Sequence, residues 1–345
     1  MSSTAPGAPA PAPTTVAAGG DAKASAWRQR LQQLAALGGL VLIFAAFSIA
    51  SPQVFPTYSN ITNILFSAVV VGVLSLGATF VIITGGIDLS CGTGMILSGV
   101  MAATFIVTWG LPVWLGIVLA ILFGGLIGLV NGVNVAIAGL PPFIATLAMM
   151  LVAGGLALVI SNKAPIYFDS QDHSSFTALS TGNLIPGSGF PNAVIVLLVA
   201  AVIAYVILSK TILGRYDISI GSNMEATALS GINVKKWLII IYSLAGTFSG
   251  LAGVMLAARL GSAQPTGGQG YELQAIAAVV IGGTSLSGGK GSIVGTVIGA
   301  MIIAVINNGL QIISVPQEWQ NVILGVVIVV TVFIDQLRTR RTTTT

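Results

Sequence analysis

The chain has 345 residues, 55% of them hydrophobic and only 6% charged, with a formal net charge of +4. A soluble domain carries about 25% charged residues, so this surface cannot be kept in water; a soluble enzyme or nucleic-acid-binding protein is excluded and an all-α polytopic membrane protein remains. A lone cysteine, Cys91, allows no intrachain disulfide, and 43 glycines supply the small residues that let membrane helices approach closely.

Residues 1–26 are Ala, Pro, Ser, Thr and Gly with almost no large apolar side chain. They predict a disordered tail, here bounded at 1–30. Trp27–Arg30 (WRQR) then precedes the first long apolar run. That run lies far from the terminus and lacks a small-residue cleavage site, so an uncleaved first span with a cytoplasmic N-terminus is expected. Apolar runs follow at 34–50, 62–83, 89–109, 113–134, 143–160, 192–209, 237–258, 272–283, 292–313 and 319–335. They predict about ten spans within a membrane domain at 31–337, followed by a cytoplasmic tail at 338–345. The run at 272–283 is too short to cross alone and predicts half a helix or a helix tilted against something broken.

Alternation from an inside N-terminus places 84–88, 135–142, 210–236, 284–291 and the C-terminus in the cytoplasm. Of the 13 basic residues, all but Lys163 and Arg259 then fall inside, as the positive-inside rule requires. The two largest loops face opposite sides: 161–191 outward, 210–236 inward. Trp109, Trp114, Trp237 and Trp319 fall near span ends, as an aromatic belt would.

The inward loop carries the sharpest local signal. Ser222-Asn223-Met224-Glu225 has the S-x-x-E form of a capping box, and Gly231 stands where a helix-ending glycine would. Between them a helix of about two turns is predicted, with Met224, Ala228 and Leu229 as a small apolar face. So short a helix is marginal alone in water. It either lies on the bilayer and neighbouring loops or inserts into a cytoplasmic partner.

Here the sequence resembles a family. Glu225–Gly231 (EATALSG) has the E-A-x-x-x-x-G spacing of the loop through which ATP-binding-cassette importer permeases contact their ATPases, with Thr227 in place of the second alanine and without the later proline. The segments TGGIDLSCGTGMILSGVMAA (84–103), GLPPFIATLAMM (139–150), GRYDISIGSNMEATALSGI (214–232) and AAVVIGGTSLSGGKGSIVGTVIGA (277–300) resemble permeases for ribose, xylose, galactose and related small sugars. Cys91 and Ser222 depart from the residues expected at their places. The resemblance implies an importer subunit without catalytic residues, cofactor or metal of its own. It implies partners: separate ATPase subunits, a periplasmic sugar-binding protein and a second permease, as a homodimer or a pair of like permeases in the inner membrane. It also implies an ATPase-coupling segment of Gly214, Arg215, Ser222, Asn223, Glu225, Ala226, Leu229, Ser230 and Gly231.

The glycine-rich run GGTSLSGGKGS (282–292) is not a phosphate loop. In the G-x-x-x-x-G-K-[ST] frame Thr284 stands for the first glycine and Gly291 for the hydroxyl residue. Set over 85–103, residues 282–300 agree at nine of nineteen positions, which points to an internal repeat. With both runs on one side the repeat reads as parallel; matching Asn131-Gly132 to Asn308-Gly309 instead reads as inverted and would make 272–291 re-entrant or broken. Each run reads as a helix break, with Asp88 or Ser285 able to cap the helix that follows. A buried unpaired Asp88 is costly in a bilayer, so it is expected near an interface, in a wet cavity or on capped N–H groups.

Asp88, Asn131, Asn134, Asn307 and Asn308 are the candidates for a substrate pathway, since amides suit a neutral sugar; bonding between helices is their alternative role. Arg259 and Glu272 flank the loop LGSAQPTGGQGY as anchors or an ion pair. His173, beside Asp169, Gln171 and Asp172, lacks the ligands of a metal site and reads as solvated surface. A secondary transporter would need coupling acids at the midplane, for which only Asp88 and Glu272 offer themselves. No HExxH or carboxylate cluster supports a membrane enzyme.

Overall fold

The computed structural model describes the backbone of residues 18–169, 172–183 and 190–343, and side chains within 33–330 and at 332–333 apart from those gaps. The remaining tail residues 1–17, Gln171 of the outer loop, and the side chains of Lys23, Arg28, Arg30, Arg338, Arg340 and Arg341 lie outside it.

Helices dominate. In chain order they are α1 (Ala18–Ala50), α2 (Tyr58–Ile83), α3 (Cys91–Ala103) continued by a π-helical turn Thr104–Thr108, α4 (Val113–Ala136), α5 (Pro142–Ile160), α6 (Ser174–Thr181), α7 (Asn192–Lys210), α8 (Ile212–Ser222), α9 (Met224–Leu229), α10 (Val234–Leu260), α11 (Tyr271–Ile281), α12 (Ile293–Ile312) and α13 (Gln317–Thr343). Two-residue strands β1 (Ile166–Tyr167) and β2 (Ser262–Ala263) form an antiparallel pair. Among the described residues eight helices are long and apolar enough to cross a membrane, and Tyr271–Ile281 and Gln317–Val330 are shorter apolar helices. These ten coincide with the ten apolar runs of the sequence. The first helix already begins at Ala18.

α2 is the central post. Its residues from Ala68 to Ile83 are buried without interruption, which explains why its sequence is apolar all round. α10 packs across α2, α3 and α4. Where α4 meets α10, Gly124 and Gly128 lie on Gly246, Gly250 and the Tyr242 backbone, with no room for a Cβ on either side. Small residues at this crossing allow the contact that dispersion alone must hold in a bilayer. α1, α4, α5 and α7 turn large apolar side chains outward, among them Leu42, Leu122, Leu151 and Val202.

The short eighth run is half a helix. At 1.5 Å per residue the 11 residues of α11 reach about 16 Å, against about 30 Å of hydrocarbon. The rest of the path, 264–270, is irregular backbone leading down from β2.

The loops sort to two ends of the bundle. At one end Gly289 N–H donates to Ile83 O at 2.8 Å, Gly221 abuts both, and Ala136, Ile220 and Leu238 cluster together. Gln33 of α1 reaches Ser292 at the same end. At the other end β1 pairs with β2, and Phe55 packs with Phe44 and Phe47. The four loops expected to share the inward side, 84–88, 135–142, 210–236 and 284–291, therefore share one end.

Candidate functional site

The short helix in loop 210–236 exists, with a different start. Asn223, in extended conformation, is the N-cap: its Oδ1 accepts the Ala226 N–H at 2.9 Å. Ser222 belongs to the preceding helix, its hydroxyl donating to Ile218 O at 2.8 Å. The S-x-x-E capping box is therefore absent, because α8 claims the serine and leaves the equally competent asparagine to cap. Glu225 lies in the first turn, favourable for the helix dipole. Gly231 has φ +82, the left-handed conformation that ends the helix.

What this helix presents is solvent-facing. Leu229 is 90% exposed and Met224 45%, and Glu225, Ala226, Ala228 and Ser230 are exposed too. Thr227, where the family has its second alanine, is the one buried residue, its hydroxyl donating to Asn223 O.

α8 was not predicted, although its signal was present: Leu213, Gly214, Asp217, Ile220 and Gly221 recur at helical spacing. Gly214 has no room for a side chain against Leu208, and Gly221 none against Ile83. α9 thus sits on a helix pressed against the end of α2 and the second glycine run. Arg215 is exposed on the outer side of α8. Asp217 is fully buried on the inner side with neither carboxylate oxygen bonded. Burial pushes its carboxyl well above the usual carboxylate range.

The glycine run is a packing element. Gly288 N–H donates to Ser285 O, Gly289 N–H to Ile83 O, Ser285 N–H to Lys290 O and Ser292 N–H to Thr284 Oγ1. Most of its backbone donors are committed to the protein, and Lys290 is exposed. Ser285 does not cap α12; Ser292 does, accepting from Gly295 N–H at 3.1 Å. Ser285 instead accepts from Ser287 N–H, as Asp88 Oδ1 accepts from Ser90 N–H at 2.8 Å. The two aligned runs share this side-chain turn and one end of the bundle. Asn131 lies at that end and Asn308, bonded to Asn60 at the start of α2, at the other.

The pathway candidates divide. Asn131 Nδ2 donates to Ser90 Oγ at 2.7 Å, and Ser90 Oγ donates to Asp88 Oδ1 at 2.6 Å, so Asp88 and Asn131 form one buried chain. Tyr242 adds an unbonded hydroxyl beside Gly86, and Asn131 Oδ1 is also unbonded. Asn134 is half-buried one turn further on. Asn307 bonds Gln274 of α11 at 3.0 Å, and Asn308 bonds Asn60 of α2 at 2.9 Å; these two tie helices together away from Asp88.

Arg259 and Glu272 do not pair. Arg259 lies over the Phe66 ring at 5.2 Å, whereas Glu272 is buried, accepts from Gly270 N–H at 2.9 Å and keeps Oε2 unbonded against Gly92. His173 is half-buried, edge-on to Phe168, rather than a freely solvated surface side chain. Among the described residues no group of three His, Cys, Asp or Glu could hold a metal.

Comparison with known proteins agrees with this architecture. The family described as branched-chain amino acid transport system / permease component matches residues 60–332. The ribose import permease RbsC of Escherichia coli K12 is 44% identical over 313 residues, 90% of this chain and 94% of that protein. The D-allose transport permease AlsC of the same strain is 39% identical, covering 86% and 90%. The fructose import permease FrcC of Rhizobium meliloti is 37% identical, covering 86% and 83%. No solved structure matches. The chain belongs to this permease family and is a multi-pass membrane transport component rather than an enzyme.

Proposed function

We propose that this chain is the transmembrane subunit of an ATP-binding-cassette importer for a small sugar, a pentose, hexose or related polyol. It works in the bacterial inner membrane with both termini in the cytoplasm. A separate ATPase drives it and a periplasmic binding protein supplies it, and a second permease copy completes the translocator. The chain itself brings no cofactor. Relatives bearing the names of ribose, allose and fructose permeases support the sugar.

The observation that carries the ATPase partner is the exposed helix α9. A six-residue helix is marginal alone in water, and with Leu229 90% exposed at its tip it is shaped to dock on a partner. Gly214 seats the adjoining α8 on the end of α7 and Gly221 seats it on the end of α2, so a push on α9 is delivered to the central post and to the glycine run beside it. ATP-driven closure of the ATPases would shift the inward- and outward-open states through this contact, since only differential affinity for two states moves their equilibrium. Arg215, Asn223, Glu225, Ala226, Ser230 and Gly231 complete the proposed contact surface.

Glu225→Lys and Gly231→Pro test it. Both should abolish sugar uptake in cells while the chain remains inserted at normal levels, and ATPase co-purification should fall. Normal uptake in both variants would overturn the role of this segment.

A further inference from the structure

A cavity of about 390 Å³ lies between α3, α5 and the irregular segment above α11. Thr93 and Ile96 come from α3, Met150 and Gly155 from α5, and Pro265–Gln269 from the segment itself. The volume falls within the range of small-ligand sites, about 300–1,000 Å³.

The wall formed by 265–269 is unusual for its depth. It joins a full-length helix to a half-helix, so its irregular backbone lies at membrane depth. Such backbone is tolerated in a bilayer only where protein buries it or where it lines an aqueous space. Among the described residues no protein acceptor receives the N–H groups of Thr266, Gly267, Gly268 or Gln269. Thr266, Gly267 and Gln269 are exposed, so these N–H groups are open to water or to a ligand in the cavity. The Thr93 and Thr266 hydroxyls and the Gln269 amide add groups of both polarities, and Ile96 and Met150 supply an apolar wall. No charged side chain lines it.

We propose that this cavity is a way-station where an uncharged sugar pauses in transit. Sugar hydroxyls satisfy the free N–H groups, and the C–H face of the ring lies on the apolar wall. A zwitterionic amino acid would bring two charges and meet no countercharge, a costly transfer. Among its lining residues Gly155 is exposed and Leu151 is 70% exposed on the outer face of α5. There the second permease copy must shut it off from acyl chains. The inference rests on reading the chain as a sugar permease and locates the sugar within it, apart from the Asp88–Asn131 chain.

The glycines provide the test. A Cβ at Gly155 meets nothing within 4 Å, and one at Gly154 meets only the Thr93 methyl at 3.8 Å. Gly154→Phe and Gly155→Phe can therefore fill the cavity without displacing backbone. The chain is reconstituted with its ATPase and binding protein in liposomes, and uptake of labelled D-ribose, D-allose and D-fructose is measured. The filled variants should co-purify with the ATPase at wild-type yield yet lose uptake. In a Cys91→Ala background, Gly155→Cys should react with a small thiosulfonate reagent, and a transported sugar with binding protein and ATP should slow that reaction.

Wild-type uptake with equal uptake by the filled variants overturns the cavity site alone, as does labelling indifferent to sugar, which would mark a water-filled void. A wild-type assembly that transports none of a panel of pentoses, hexoses and polyols, these three included, overturns the substrate reading itself. If a filled variant does not assemble, the labelling result decides.

Discussion

Asp217 shows how a single residue can carry a cost that the rest of the fold absorbs. Both its carboxylate oxygens are buried and unbonded, and burial raises its pKa. The folded chain therefore holds a proton that the unfolded chain releases above about pH 3.9. Stability must fall as pH rises through that value and keep falling until the folded carboxyl itself ionises. Asp217→Asn keeps the shape and removes the titration. In detergent it should melt higher than the wild type, with a gap wider at about pH 8 than at about pH 5; a gap independent of pH would refute the buried, protonated acid. Residue chemistry of this kind was only half legible. The cost of an unpaired Asp88 in an apolar setting was readable, and so was its relief by neighbouring N–H groups. Asp217 gives no such signal, because in the sequence it stands beside Arg215 and Ser219 in a polar loop, and only packing of α8 turns it inward.

At the scale of the element, α9 is the informative case. Six residues fall well short of the 12–15 that an isolated helix needs, so its caps decide whether it persists. Asn223→Ala should remove about 1 kcal/mol of capping, speed amide hydrogen exchange across 225–230 and lower uptake. Ser222→Ala should do neither, since Ser222 bonds backward to Ile218; equal effects of the two would restore the serine as the cap. That a helix forms here was legible from a cap-forming pair followed by Gly231. Its first residue was not, because Ser222 and Asn223 are both good caps and the choice is made by where α8 ends. The half-helix α11 was legible in the same partial way: the apolar run was visibly too short, but the course of 264–270 was not.

For the molecule as a whole, the alternation of loops makes a direct prediction. On a Cys91→Ala background, Lys163→Cys should react with a membrane-impermeant maleimide in intact cells. Leu229→Cys should react only after permeabilisation, although both positions are exposed. Labelling of Leu229→Cys from outside would invert the proposed orientation. The sequence by itself determined the class, the ten apolar helices and their alternation, because a bilayer reads apolar length and flanking charge one window of about 20 residues at a time. Only the tertiary structure decided that Asn131 reaches Asp88 through Ser90, that the two glycine runs meet at Ile83, and that a cavity opens between α5 and residues 265–269. Those features depend on side chains and backbones far apart in the chain meeting at a few ångströms, and no local pattern of residues encodes which distant partner will be there.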